Sequence, residues 1–246
     1  MFNALYRRLL VGLALWLGTT AALAQVSAER PIAAIEEGIH YELLAVPQPT
    51  STSGKVEVLE LFWYACPHCY ELEPYLESWV QKRLPPQAQF VRMPAIFNPQ
   101  WELLGRAYYT MELLGLLPQL HGKLFQALHQ QKRPLYNEAA LESWFIEQGV
   151  KAETFKQTFR SFAVESAINR NKALMPRYGA NGVPVVIING KYRTSPGMTG
   201  TYAGFFQVIE HLIQQEQAAV TPTAQAVPAV QAVTPAPTTP VAAPTP

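Results

Sequence analysis

The chain has 246 residues, 49% of them hydrophobic, which is enough for one or two domains with a buried core. Its formal net charge is +1 and no block of like charges occurs, so we expect no nucleic-acid partner. All acidic residues are glutamate, which argues against EF-hand and Walker B sites, and two cysteines are too few for a disulfide-rich scaffold or a four-cysteine zinc site.

The N-terminus has the pattern of a secretory signal peptide. Arg7 and Arg8 precede a short apolar run, and an A-L-A triplet that ends at Ala24 is typical of a cleavage site. The alternative is a membrane anchor, but the apolar run is shorter than the ~20 residues that a span needs. We therefore predict that residues 1–24 are a cleaved signal and that the mature protein is exported to a compartment where disulfides persist.

The middle of the chain combines strand and helix patterns. A buried strand is predicted over residues 55–65, a helix begins at Cys66, and a second strand follows over residues 88–96. Helical periodicity then continues from residue 101 to residue 178. A helical segment of this length is too long for a loop, so we expect an α/β domain with an inserted all-helical domain.

The last part of the chain returns to strand patterns and ends in a low-complexity tail. A strand with an Asn-Gly turn is predicted over residues 185–190, its hairpin partner over 191–194, and an amphipathic helix over 202–216. The tail contains only Ala, Val, Thr, Pro and Gln, so we expect it to be disordered. The predicted organisation is a signal peptide, a first α/β part, a helical insertion, a second α/β part and a tail: 1–24, 25–97, 98–178, 179–217 and 218–246.

Both cysteines lie in one motif, Cys66-Pro67-His68-Cys69, where a buried strand turns into a helix. Three interpretations compete: a structural staple, a metal site that a histidine completes, and a redox-active dithiol. A bridge that closes so small a loop stabilises by only about 2 kcal/mol. Neither a second cysteine pair nor a spaced histidine pair completes a zinc shell. We favour the redox-active dithiol, and expect no metal and no cofactor besides the cysteine pair.

The helix start favours Cys66 as the reactive thiol. Pro67 suits the first helical position, which makes Cys66 the N-cap residue. A thiolate there faces unpaired N–H groups and the positive end of the helix dipole, so its pKa should fall, and a protonated His68 adds a favourable charge. Cys69 lies one turn along and should be more buried. Because a stabilised thiolate stabilises the reduced form, the disulfide form is predicted to be oxidising.

These motifs resemble those of the DsbA-type periplasmic thiol:disulfide oxidoreductases, which have a thioredoxin fold. The similarity includes the C-P-H-C motif and the V-L-E-L-F strand before it, the G-V-P triplet that ends at Pro184, and the segments 189–192 and 196–198. It extends over about residues 35–216. The resemblance implies an α/β thioredoxin fold with an inserted helical domain, in a periplasmic enzyme.

The resemblance also implies roles for individual residues. Cys66 is the nucleophilic cysteine and Cys69 the resolving one. Pro184 is a cis-proline that faces the disulfide, and the backbone of Val183 is free to pair with an extended substrate. Glu60, which interrupts an apolar strand, matches a buried acid that assists proton transfer; the alternative is a solvent-facing position on an edge strand.

Several further residues are interpreted more simply. Glu73 and Arg92 are candidate charged neighbours of Glu60, and Pro74, inside the predicted helix, departs from the pattern of the family. The histidines on later helices lack ligand spacing, and we expect surface or capping roles for His121, His129 and His211. Of the aromatic residues that flank the motif, some belong to the core and one or two should form an apolar surface for unfolded substrates: Phe62, Trp63, Tyr64 and Tyr70.

The leading hypothesis is a periplasmic oxidase that donates the Cys66–Cys69 disulfide to reduced, unfolded exported proteins. The resemblance implies a quinone-linked membrane protein that reoxidises it. The alternatives are an isomerase or reductase of the same fold, and a copper or zinc delivery protein. Segment 25–54 is too short for the dimerisation domain that such isomerases carry, so we expect a monomer.

Overall fold

A mixed sheet of five strands lies at the centre of the structure, a computed structural model that describes residues 31–220. The strands are β1 (Glu42–Leu43), β2 (Val56–Phe62), β3 (Ala88–Pro94), β4 (Val185–Ile188) and β5 (Tyr192–Thr194). Their order across the sheet is β1-β5-β4-β2-β3. Strands β2 and β3 are parallel, and the other neighbours are antiparallel.

Helices pack around the sheet, and most of them lie in the sequence between β3 and β4. They are α1 (Pro67–Lys82), α2 (Pro99–Leu113), α3 (Leu117–His129), α4 (Glu138–Glu147), α5 (Ala152–Phe159), α6 (Phe162–Tyr178), α7 (Pro196–Thr199) and α8 (Tyr202–Val220). Helices α2 to α6 form the predicted helical insertion. Within the described range, no helix is long and apolar enough to cross a membrane.

Strand β2 is the central strand that leads to the cysteine motif. All seven of its residues are buried. Strand β3 pairs with one edge of β2 and β4 with the other, so β2 is an interior strand of the sheet. The strand ends at Phe62, three residues earlier than the sequence pattern predicts. A turn follows, in which the Cys66 N–H donates to the Trp63 carbonyl oxygen at 3.0 Å. This turn redirects the chain from the sheet into α1.

Helix α1 crosses from β2 to β3, the kind of connection that parallel strands need. It continues past Pro74, although a proline there removes one backbone N–H from the helix. A large hydrophobic cluster joins this region to the insertion, because Phe62, Tyr64 and Cys69 pack with residues of the inserted helices. The cysteine motif therefore lies at the junction of the two parts of the fold.

The predicted terminal segments fall largely beyond the described residues. The predicted signal at 1–24 lies outside them, and so does most of the predicted tail at 218–246. Helix α8 extends to Val220, beyond the predicted end at 216. The two alanines at 218 and 219 are strong helix formers, which explains the extension.

The turn between β4 and β5 is held by a close backbone contact. Gln48 donates its N–H to the Gly190 carbonyl oxygen at 2.7 Å. Gly190 has a φ of +65°, and a Cβ at this position would overlap the Gln48 carbonyl oxygen. Glycine is therefore required here both by the backbone conformation and by the available space.

We predict that Gly190→Ala lowers the free energy of unfolding by more than about 2 kcal/mol, since steric overlap adds to the cost of the left-handed conformation. Gly115 is the matched control, with a φ of +68° and no atom within 4 Å of its Cβ position. Gly115→Ala should cost only about 1 kcal/mol. Chemical denaturation measures both values, and equal losses would contradict the tight contact.

Candidate active site

The two cysteines occupy different environments within one helical turn. Cys66 is the N-cap of α1, with Pro67 at the first helical position. It is partly exposed, whereas Cys69 is fully buried, and both are free thiols. Cys66 Sγ lies 3.5 Å from the Val183 carbonyl oxygen, to which it donates a hydrogen bond when it is protonated.

This difference in environment separates the acidities of the two thiols. A hydrogen bond from the Cys69 thiol is the largest cause that lowers the pKa of Cys66 to about 6, with help from the Cys69 and His68 backbone N–H groups and the His68 charge. Partial burial opposes the shift. Burial raises the pKa of Cys69 well above its ordinary value, as does the hydrogen bond that it makes with Cys66. Near neutral pH the site therefore holds a thiolate on Cys66 and a thiol on Cys69.

The loop before β4 faces the cysteine motif. The Val183–Pro184 peptide bond is cis, and Val183 presents its carbonyl to Cys66. Pro184 is buried and Val183 is half-buried. Strand β4 begins at Val185, directly after the proline, so the central sheet fixes this loop beside the start of α1.

A set of buried charges lies behind the motif. Glu60 on β2 and Arg92 on β3 are register partners, and Arg92 Nε donates to Glu60 Oε2 at 3.1 Å. The same guanidinium donates to Glu73 Oε1 on α1 at 2.5 Å. Glu60 is 1% exposed, so the alternative of a solvent-facing Glu60 is wrong. Arg92 therefore contacts Glu60 directly, and Glu73 joins the cluster through the same guanidinium, as the sequence predicts for both neighbours.

The two glutamates compete for one positive charge. Burial, together with the nearby charge of Glu73, raises the pKa of Glu60 to about 8, although Arg92 opposes this rise. Burial is also the largest single influence on Glu73 and acts in the same direction, but the interactions with His121, Arg92 and Glu77 together outweigh it and lower the Glu73 pKa. At neutral pH Glu60 therefore holds a proton while Glu73 is ionised. When Glu60 ionises at higher pH, its negative charge further raises the pKa of Cys69, so the two groups are electrostatically linked.

Two histidines of α3 contact Tyr64, and the expectation of surface or capping roles for them is wrong. His121 is buried, and its Nδ1 lies 2.6 Å from the Tyr64 hydroxyl. His129 is half-buried, and its Nε2 donates to the Tyr64 carbonyl oxygen at 2.8 Å. Their spacing of eight residues places both on one helix stripe, a signal that the sequence analysis did not use. His211 is exposed, as expected.

The aromatic residues around the motif divide into core and surface. Phe62 and Tyr64 are buried, whereas Trp63 and Tyr70 are half-buried. Trp63 stacks on Trp101 of α2 with ring centroids 4.2 Å apart, an apolar contact that the sequence analysis missed because it joins two separate elements. His68 is exposed, with Nδ1 3.4 Å from Glu71 Oε2.

Over residues 31–220, no group of three or more His, Cys, Asp or Glu side chains is arranged to hold a metal ion.

The site combines a thiolate at the N-terminus of α1, a buried second thiol one turn further and a cis-proline beside them, all supported by a mixed sheet. This combination defines a thioredoxin-fold dithiol protein. Residues 57–203 match the DSBA-like thioredoxin domain family. The thiol:disulfide interchange protein DsbA of Burkholderia cepacia is 37% identical over 212 residues, which cover 86% of this chain and 98% of that protein. DsbA of Pseudomonas syringae pv. tomato is 37% identical over 87% of this chain and 97% of its own length.

The same relationship holds in three dimensions. The crystal structure of Pseudomonas aeruginosa DsbA matches with a TM-score of 0.71 and 37% identity, over 75% of this chain and 96% of that one. The chain therefore belongs to the DSBA-like thioredoxin domain family. The predicted thioredoxin fold with a helical insertion is confirmed.

We predict that Cys66 titrates near pH 6 in the reduced protein and that Cys69→Ala raises this value, because the largest favourable hydrogen bond is lost. Cys69→Ser is the matched control, since its hydroxyl still donates and should keep most of the depression. Ultraviolet absorbance of the thiolate follows the titration. An unshifted Cys66, or equal values in the two variants, would contradict this assignment.

Proposed function

We propose that this protein is an exported thiol:disulfide oxidoreductase that donates the Cys66–Cys69 disulfide to reduced, extended substrate proteins. Membership of its family and the similarity to thiol:disulfide interchange proteins support this function. The observation that carries the proposal is the contrast between an acidic, accessible Cys66 and a fully buried Cys69.

The exchange proceeds in two displacements. A substrate thiolate attacks Cys66 Sγ of the oxidised protein, a substrate–Cys66 disulfide forms, and the Cys66–Cys69 bond breaks. Cys69 leaves as a thiolate and takes up a proton. A second substrate thiolate then attacks the first substrate sulfur, and Cys66 leaves as a thiolate. The substrate loses two electrons to become a disulfide, and the protein gains them as a dithiol.

The two leaving groups need different help. The low pKa of Cys66 makes it a good leaving group in the second step without assistance. The raised pKa of Cys69 makes it a poor leaving group in the first step, so a nearby acid is useful. Protonated Glu60 meets this need, because its pKa of about 8 leaves it both able to donate and able to recover the proton near neutral pH.

The stabilised Cys66 thiolate also sets the direction of transfer. It exists only in the reduced protein, so its stabilisation favours reduction of the protein and oxidation of the substrate. His68, Pro67 and the helix start support this state by their position at the N-terminus of α1. Oxidation of substrates is therefore favoured over reduction or isomerisation, the alternative activities of this fold.

The surface beside Cys66 suits an extended polypeptide. The half-buried Val183 can pair through its backbone with a substrate strand, and Pro184, which lacks an N–H, does not compete for that partner. Trp63 and Tyr70 supply half-buried aromatic surface next to the motif. We expect recognition through backbone and apolar contacts, which fits unfolded proteins as substrates.

The cellular setting follows from the sequence and from the resemblance to the family. The signal pattern at 1–24 supports export to the periplasm. Each turnover leaves a dithiol, so a quinone-linked membrane protein that reoxidises it is the expected partner. The protein is expected to act as a monomer with no metal and no cofactor besides the cysteine pair.

The proposal is tested with a reduced, unfolded exported protein as the substrate, by following the loss of its free thiols. The wild-type disulfide form should oxidise it, and Cys66→Ser should abolish the reaction. Cys69→Ser is the informative companion: its reduced Cys66, presented with an oxidised substrate, should accumulate a substrate–Cys66 disulfide, because no second thiol releases it. Substrate oxidation by Cys66→Ser would contradict the proposal, and repair of a scrambled substrate without net oxidation would favour an isomerase.

A further inference from the structure

His121 is a buried histidine to which the exchange steps above assign no role. It lies on α3 and is 5% exposed. Three aromatic rings pack edge-on against the imidazole, with centroid distances of 5.3 Å to Phe62, 5.3 Å to Phe125 and 6.2 Å to Tyr108. A polar ring in such a setting needs its two nitrogens to find specific partners.

The first partner determines which nitrogen carries the proton. Tyr64 Oη lies 2.6 Å from His121 Nδ1. Burial keeps the pKa of Tyr64 well above its ordinary value, so the hydroxyl retains its hydrogen and donates it. Burial also lowers the pKa of His121, which favours the neutral ring. A neutral imidazole that accepts at Nδ1 carries its hydrogen on Nε2.

The second nitrogen faces one of the two competing glutamates. His121 Nε2 lies 3.3 Å from Glu73 Oε1, which also accepts from Arg92 at 2.5 Å. Glu73 thus has a guanidinium and an imidazole N–H beside the same oxygen. Among the described residues Glu60 accepts from the guanidinium alone, at 3.1 Å. One oxygen of each carboxyl group, Glu60 Oε1 and Glu73 Oε2, accepts no hydrogen bond from the described part of the chain, and the approach of His121 Nε2 to Glu73 is a close polar contact rather than a well-directed hydrogen bond. The site therefore favours the carboxylate at Glu73 and the carboxylic acid at Glu60.

We propose that His121 is a positioning residue of the redox site, which holds Glu73 as the carboxylate partner of Arg92 and thereby leaves Glu60 to carry the proton of Cys69. The inference rests on the proposed function, since it assigns the proton that the first displacement needs. Glu60 gives its proton to the departing Cys69 thiolate and becomes a carboxylate. When Cys69 is reoxidised, the proton returns to Glu60.

The charged surroundings of His121 are consistent with this role. The titratable groups that face it come from four elements: Tyr64 before α1, Glu73 on α1, Arg92 on β3 and Tyr108 on α2. Two further acids, Glu77 and Glu112, line with it a cavity of about 460 Å³ that Arg92 and Tyr108 also border.

The test compares two His121 variants of the full chain by carbon NMR of the glutamate carboxyl groups across pH. The Glu60→Gln and Glu73→Gln proteins assign the two signals. In wild type, Glu73 should ionise at lower pH than Glu60. His121→Phe keeps the aromatic packing but removes both hydrogen-bonding nitrogens, so the order should reverse, with the pKa of Glu60 falling from about 8 towards the ordinary carboxyl range. His121→Gln can accept from Tyr64 and donate to Glu73, and should keep the wild-type order.

An unchanged order in His121→Phe would overturn the inference, and so would a reversed order in His121→Gln, because it would point to packing rather than hydrogen bonding. If His121→Phe does not fold, Tyr64→Phe/His121→Phe removes both partners of the buried hydrogen bond and serves in its place. The titration order does not depend on catalysis. A wild-type protein that fails to oxidise substrate would contradict the proposed function, and the order of ionisation would still decide the role of His121.

Discussion

The hydrogen bonds that converge on Cys66 at the start of α1 are the constraint around which the site is built. A sulfur atom at this position lies beside the Cys69 thiol and two backbone N–H groups, so its negative charge is stabilised without a metal or a buried cation. These donors exist only because the chain leaves β2 in a turn at Trp63 and enters a helix whose first residue is Pro67. The acidity of Cys66 is thus a property of the strand–turn–helix junction.

The other residues of the site supply and accept the proton that Cys69 takes up when the disulfide is reduced. Cys69, whose thiol donates to Cys66, is itself buried, and its burial together with that hydrogen bond raises its pKa. The sheet brings Glu60 and Arg92 together through their register, and α1 adds Glu73 from the turn after Cys69. The helical insertion then contributes His121 and His129, which hold Tyr64 from both ends. The insertion is therefore part of the support of the redox site as well as a cover for the sheet.

Local features of the site could be predicted from the sequence, and contacts between distant segments could not. The N-cap position of Cys66 follows from neighbouring residues, and the burial of Glu60 from the apolar strand around it. The role of His121 depends on a contact across 57 residues, which arises only when α3 packs against α1. Strand β1 has two residues, Glu42 and Leu43, too few to produce a periodic pattern, and is defined only by its pairing with β5.

The most direct test of the account compares the free energy of unfolding of the reduced and oxidised proteins as a function of pH. Folding lowers the pKa of Cys66 from about 9 to about 6, so its stabilising contribution is complete above about pH 9 and is lost as the pH falls through about 6. Groups such as Glu60 are common to both forms and largely cancel in the difference. The stability of the reduced form relative to the oxidised form should therefore rise with pH between these values. A difference that is flat or falls over this interval would contradict the account.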